Sequence, residues 1–229
     1  MKLKTLSSGS VGNCYLLEAD NEVLILDCGI PIKDIKIGLG FDLSKVVGVC
    51  VSHAHLDHSK SVNDFKKMGI PVLQPYLEEQ KIQRHYFGSF TVRSFDVPHD
   101  ETPCVGYLIE CPNGEKLLYA IDFEYIPYSF KKMRIHHALI EANYQKKYVG
   151  KEEVKTRHVY RGHSELRTTI GVVKDNVDSL KTVILCHLSK GNANPKEMVA
   201  EVQKVAKCPV YVAEKGLEIE LKKGDECPF

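Results

Sequence analysis

The run His53-Ala54-His55-Leu56-Asp57-His58 sets three imidazoles and one carboxylate on six consecutive residues, directly after the apolar stretch Val46–Val51. A short apolar run of that kind reads as a buried strand. Alternate residues leaving a strand point the same way, so His53 and His55 can grip one metal ion. Asp57 and His58 then bend away and can hold a second. The motif therefore asks for a fold in which the end of a buried strand meets further ligands brought from elsewhere in the chain. Structural zinc sites are usually built from cysteines, or from cysteines and histidines. A set rich in nitrogen and oxygen, with positions left for water, is how catalytic metal sites look. Such donors suit two divalent ions, Zn2+ first, with Mn2+ or iron as alternatives. The plainer reading is a solvated His-rich turn, which ligands appearing in order downstream argue against.

The chain has 229 residues and a net charge of +1. The length suits one large domain or two small ones, and is read here as a single domain, 1–229. The charge excludes a global basic field for gripping long nucleic acid, although a local patch remains open. No apolar stretch approaches membrane-spanning length, and the N-terminal residues lack the apolar core of a signal peptide. The eight cysteines include no Cys-x-x-Cys pair. Cys14, Cys28, Cys50, Cys104 and Cys186 lie in or beside apolar runs and read as small hydrophobes in a reducing cytoplasm.

Strands are predicted at Lys2–Leu6, Asn13–Ala19, Val23–Asp27, Val46–Val51, Pro71–Leu73, Phe90–Val97, Cys104–Glu110, Lys116–Ile121, Ala138–Glu141, Thr182–Cys186, Val210–Val212 and Leu217–Leu221. Pro112-Asn113-Gly114 marks a hairpin. Helices are predicted from Pro31 to Gly38 or Gly40, and over Ser59–Met68, Tyr76–His85, Ser164–Asn176 and Pro195–Ala206. The polar segment Tyr148–Val159 gives no clear signal. Two batches of strands, each with helices attached, predict an α/β (α+β) fold: two sheets face to face, helices outside and one shared core.

Three further residues follow strands as the motif does. His99 would join His53 and His55 on one metal. His187 would join Asp57 and His58 on the other. Asp122 could bridge both, since a carboxylate can use one or both oxygens. Each alone could be a surface residue; together they share one kind of position.

This series, His53-x-His55-x-Asp57-His58, His99, Asp122 and His187, resembles the ligand series of the metallo-β-lactamase superfamily in type and order. The resemblance runs from Leu6-Ser7-Ser8-Gly9-Ser10 to the last strand. It implies a four-layer αββα sandwich with two metals at one edge between the sheets. The fold alone serves thioesters, lactams, lactones, phosphodiesters and oxygen reduction, so it does not select the substrate.

Arg161-Gly162-His163-Ser164 narrows that choice. Phosphodiesterase members similar to tRNase Z carry a His-Ser motif upstream of the last ligand, where the histidine contacts the scissile phosphate and protonates the leaving oxygen. The resemblance assigns that catalytic role to His163. A nucleoside alkoxide gains from a positioned acid. The plainer alternative is a capping pair with Ser164 as N-cap. The loop His187-Leu188-Ser189-Lys190-Gly191-Asn192-Ala193-Asn194 offers Ser189, Asn192 and Asn194 as substrate-binding groups near a helix N-terminus, or is an ordinary Asn-Gly loop. Ser7–Asn13 and Val97-Pro98-His99-Asp100 also resemble WalJ-like exonucleases. Shorter relatives of that group hydrolyse cyclic nucleotides, some of them signals in phage defence.

Lys146, Lys147, Lys151, Lys155, Arg157 and Arg161, interleaved with Tyr144, Tyr148 and Tyr160, form either a lip that stacks a base and attracts phosphate or a solvated face. One of His136 and His137 is expected to be structural; His85 and His158 are expected at the surface. The expectation is a dinuclear, metal-dependent phosphodiesterase in which Asp57 orients or deprotonates the attacking water and His163 is the acid. Its substrate is a nucleotide or nucleic-acid phosphodiester, with small cyclic nucleotides favoured. The alternatives are a WalJ-like DNA or RNA exonuclease, then a thioester or lactam hydrolase that would not need His163. Relatives often form dimers in which one subunit completes the other's pocket, so a homodimer is a candidate; no membrane partner is expected.

Overall fold

The computed structural model describes residues 1–150 and 153–221, without the side chains of 153–155 and 158. Among residues singled out above, Lys151 and the side chains of Lys155 and His158 lie outside that description. Among the described residues, thirteen strands form two sheets. The first holds β1 (Lys2–Ser7), β2 (Cys14–Ala19), β3 (Glu22–Leu26), β4 (Val46–Cys50), β5 (Val72–Leu73) and β13 (Glu218–Glu220), in the order β13-β1-β2-β3-β4-β5. The second holds β6 (Arg84–Phe87), β7 (Phe90–Val97), β8 (Cys104–Glu110), β9 (Lys116–Ala120), β10 (His137–Glu141), β11 (Thr182–Cys186) and β12 (Val210–Val212), in the order β12-β11-β10-β9-β8-β7-β6.

The period of two along the central strands explains the layering. In β8 to β11, Val105, Tyr107, Leu117, Tyr119, Leu139 and Ile184 face one core, shared with Tyr15, Leu24 and Leu26 of the first sheet. Their neighbours Leu108, Leu118, Ala138, Ile140, Val183 and Leu185 face a second core. That second core is covered by α5 (Leu166–Asp175) through Leu166 and Val173, and by α6 (Pro195–Gln203) through Met198 and Val202. α1 (Ile32–Gly38) and α3 (Val62–Lys67) bury Ile35 and Phe65 on the first sheet's side. Strands covered on both faces need continuous apolar sequence, which β11 supplies as Thr-Val-Ile-Leu-Cys, all buried.

Both sheets are mixed, and the parallel segments position the site. β3, β4 and β5 run parallel, as do β9, β10, β11 and β12. The residues leaving β3, β4, β9, β10 and β11 therefore gather along one edge of the sandwich, the usual place for ligands in open α/β sheets.

One expected element is corrected, and two open points are decided. Tyr76–His85 is not helical. It holds a short 3-10 turn at Pro75–Leu77 and the strand β6. Gly88, at φ +54°, reverses the chain so that Phe87 pairs with Phe90 and His85 with Val92. The Ser94 hydroxyl ties down Lys81 and Gln83. Long-range pairing here overrides a weak local preference. The undecided segment forms α4 (Glu153–Gly162). Ser164 does not cap α5; Glu165 holds that position, and the Ser164 N–H is spent on Glu141. His137 is buried against Glu115, as one of the pair was expected to be, and the cysteines of the described residues are free and buried.

Candidate metal centre

The motif enters the site at the end of β4 and turns through α2 (Leu56–Ser59). Neighbouring backbone bolts that turn in place: the Asn13 N–H reaches Asp57 O at 2.7 Å and the Cys28 N–H reaches His58 O at 2.8 Å. Gly29 lies so close that a Cβ would fall 1.7 Å from Asp57 O, so no side chain fits there.

Three overlapping donor groups result. Two are built from the predicted ligands: His53, His55, His99 and Asp122 form one; Asp57, His58, Asp122 and His187 form the other. The third joins Asp122 and His187 to Glu141 and His163, and Asp122 belongs to all three. In the first, His53 Nε2 lies 2.9 Å from His55 Nδ1 and 3.5 Å from Asp122 Oδ2, and His99 Nε2 lies 3.3 Å from His55 Nδ1. In the second, His58 Nε2 lies 3.1 Å from Asp122 Oδ2 and 3.4 Å from Asp57 Oδ2, and His187 Nε2 lies 3.9 Å from Asp57 Oδ2. Metal–ligand bonds of about 2.0–2.1 Å in a tetrahedron separate donor atoms by about 3.4 Å, so both groups have the spacing a small divalent ion requires.

The outer nitrogens fix which ring atom faces inward. His99 Nδ1 donates to the Gly162 carbonyl at 2.6 Å, and His58 Nδ1 to Asp27 at 2.6 Å. His187 Nδ1 donates to Glu141 at 2.9 Å, and His53 Nδ1 pairs with the Ser52 hydroxyl at 3.0 Å. Each arrangement turns Nε2 toward the centre, as outer-shell partners do around metals. Among the buried atoms here, His187 Nε2 has no hydrogen-bond partner, and Asp122 Oδ1 has the His187 Nδ1 contact at 2.7 Å without hydrogen-bond geometry. A buried polar atom left unpaired costs about 1–3 kcal/mol, and a cation between these donors would remove that cost. The donor set thus fits divalent metal.

A model of the metallo-beta-lactamase superfamily matches residues 8–189. The chain belongs to that superfamily. It is similar to the probable RNase MJ4 of Methanocaldococcus jannaschii, 24% identical over 240 residues. That match covers 93% of this chain and 54% of the relative, so the chain spans about half the relative's length. In fold it is similar to the metallo-beta-lactamase fold protein YhfI from Bacillus subtilis, with a TM-score of 0.73, 19% identity, and 95% and 98% of the two chains covered. It is also similar in fold to a diphosphatase from the PhnP family, with a TM-score of 0.71, 14% identity, and 96% and 97% covered.

The superfamily's metal-dependent hydrolase chemistry has its electrostatic setting here. Burial works against ionisation of Asp122, but His187 and His58 beside it hold its carboxyl well below the usual range. Burial, with neighbouring imidazoles adding to it, pushes His53 and His99 down, toward the neutral imidazole that a metal needs. Burial also opposes charge on His163 and His187, yet Glu141 and Asp122 outweigh it and raise them to about 10 and about 9.

A cavity of about 360 Å³ opens over the two groups, lined by His55, Asp57, His99, Asp122, His163 and His187, with Ser10, Ser189 and Lys190 also on its wall. His163 thus meets the metal-facing residues across one space. Ser189 reaches the cavity; Asn192 and Asn194 do not line it. Asn194 caps α6 by accepting from the Glu197 N–H, and the Asn192 N–H donates to the Ser189 hydroxyl. Lys147 and Tyr148 are held on Glu197. Sequence reasoning missed Asp27 and Glu141, both completely buried. Each ends or follows a strand, so the rule that picked out Asp122 and His187 would have found them had it been applied to every strand.

Proposed function

We propose that this protein is a dinuclear metal-dependent phosphodiesterase acting on nucleotides, with small cyclic nucleotides as the favoured substrates. The observation that carries the reading is His163 facing the Asp122-centred donor groups across a single cavity, its Nδ1 held 2.9 Å from Glu141 Oε1. Lactam or thioester cleavage gives no reason for a second, carboxylate-anchored imidazole there.

His53, His55 and His99 would hold one ion, Asp57, His58 and His187 the other, and Asp122 both. Divalent ions, Zn2+ or Mn2+, supply Lewis acidity at that position. Asp57, partly exposed beside the cavity, orients the attacking water and accepts its proton. Glu141 fixes the His163 ring and supports its charged form, so delivery of the proton to the leaving oxygen falls to Nε2. Ser189 and Lys190 offer a hydroxyl and a positive charge to the phosphoryl oxygens.

The deciding experiment is a substrate panel on metal-loaded protein with a His55→Ala control, comparing cyclic mononucleotides with labelled duplex and single-stranded DNA. Turnover of cyclic nucleotides with DNA intact is expected. The similarity to a probable RNase favours a second reading, a nucleic-acid exonuclease. Shortened nucleic acid with cyclic nucleotides untouched would establish that reading instead. A homodimer that completes the pocket is part of the proposal, and sedimentation of the metal-loaded protein tests it.

A further inference from the structure

A second cavity, also about 360 Å³, is lined by Glu124, Tyr125, Tyr144, Lys146, Tyr160, Glu165 and Thr168. Chain reach places it against the metal centre. A chain spans at most about 3.6 Å per residue, so Glu124 lies within about 7 Å of Asp122 and Glu165 within about 7 Å of His163, while Tyr144 directly follows Asn143. Three separate segments thus carry the second cavity's wall away from residues of the first. α4 divides the two, with Val159 lining the metal-side cavity and Tyr160 the other.

The lining has the chemistry of a base-binding cleft. The Tyr144 and Tyr160 rings lie 5.4 Å apart, tilted by 44°, and Tyr125 is 51% exposed at the mouth. Tyr144 is only 5% exposed, yet its hydroxyl has no hydrogen-bond partner among the described residues. Burial pushes that phenol's pKa up and keeps it protonated, so it is a donor awaiting an acceptor. Glu124, Glu165 and Lys146 are likewise without ion pairs among the described residues. Aromatic faces beside an unpaired carboxylate, an ammonium and a buried hydroxyl suit a flat heterocycle with adjacent donors and acceptors on its rim.

We infer that this cleft binds the nucleobase of a nucleotide whose phosphate sits at the metal centre, stacking it on Tyr125 and Tyr160 and reading a guanine edge through Glu165. The inference rests on the nucleotide reading above and names its recognition site. The Glu165 carboxylate accepts from the ring N–H and amino group; the Tyr144 hydroxyl and Lys146 donate to the ring carbonyl.

Calorimetric titration of the Zn2+-loaded protein with guanosine monophosphate and with ribose 5-phosphate tests it. The nucleotide should bind about tenfold tighter than the base-free phosphate, the size expected of one stacked base. Tyr125→Ala and Tyr160→Ala should each erase most of that advantage, and Tyr125→Phe should keep it. Equal affinity for the two probes, or an advantage that survives both alanine variants, would overturn the inference. Glu165→Gln should remove a preference for guanosine over adenosine monophosphate; an unchanged preference would overturn the carboxylate's reading role. Hydrolysis of bis(p-nitrophenyl) phosphate by the unmodified protein tests the phosphodiesterase reading separately, because that ester carries no base.

Discussion

Asp27 and Glu141 stand at strand ends in opposite sheets, both fully buried, and each accepts a hydrogen bond from an imidazole whose other nitrogen faces the metal centre. Their remaining partners differ. Asp27 takes the Ser52 N–H and hydroxyl and the Tyr119 hydroxyl, all from residues with no exposure. Glu141 takes the Phe123 and Ser164 N–H groups on one oxygen, and both His187 and His163 on the other. The His163 side chain is 15% exposed and lines the cavity. The same device therefore serves two ends. A carboxylate whose donors all lie in the core can only fix geometry. One that shares an oxygen between a candidate ligand and a cavity-lining imidazole would, in the function proposed above, tie the position of a metal to the movement of a proton.

Removing the core-bound carboxylate should do the most damage. Asp27→Ala strands the His58 ring and three other donors, and loss of one partner from a buried charged pair costs about 3–5 kcal/mol. Denaturant titration and elemental analysis should show that loss together with depleted metal. Full stability and full metal content would remove the distinction drawn for Asp27. Glu141→Gln keeps an oxygen for part of the network, so it should unfold less readily than Asp27→Ala. Metal affinity should fall about 10–100-fold. Turnover at saturating metal should fall a further 100-fold or more, about the share of a general acid. A loss confined to metal affinity would reduce Glu141 to a second Asp27.

His163→Ala sharpens the comparison from the other side. Metal content should stay, and cleavage of an alkoxide-leaving phosphodiester should fall about 10²–10⁴-fold. An activated bis(p-nitrophenyl) ester, whose leaving group needs no proton, should lose far less. Equal losses on both substrates would take the acid role away from His163. The smallest effect is expected at Glu115, a third buried carboxylate remote from the cavity, held by His137 at 2.9 Å and Lys181 at 2.6 Å. Burial raises its pKa, but these partners outweigh it and depress it to about 2. Its contribution to stability is fully present above pH 4.5, the unfolded value, and is lost as pH falls toward 2. Glu115→Gln should flatten that part of the urea midpoint against pH and leave metal binding untouched.

Much of this arrangement was legible in the sequence, for a physical reason. The alternating run Phe90–Val97 and the apolar run Thr182–Cys186, buried throughout, keep the same bounds in the structure. The motif residues, His99, Asp122 and His187 declared themselves by chemistry and by following strands, and the fold brings them into two groups around Asp122. Tyr76–His85 misled because its structure is set by β7 across the Gly88 turn, not by its own residues. Asn194 looked available to substrate because capping and anion binding use the same residue type at the same place. Asp27 and Glu141 stood at strand ends too, but their role beneath an imidazole shows only once the fold brings His58 and His187 onto them.

The backbone at these strand ends has a consequence for how the protein can change. Asp27, Asp122 and His187 all sit in the left-handed region, at φ 54°, 50° and 53°. A residue with a Cβ is held there at a penalty of roughly 1–2 kcal/mol, and glycine would relieve it. Glycine would also delete a carboxylate or an imidazole from the centre. A library of variants sorted for heat resistance alone should therefore drift toward glycine at 122 and 187, but not at 27, where four buried donors depend on the carboxylate. Asp122 and His187, left unchanged in a stabilised variant, would show that selection had kept hold of the reaction.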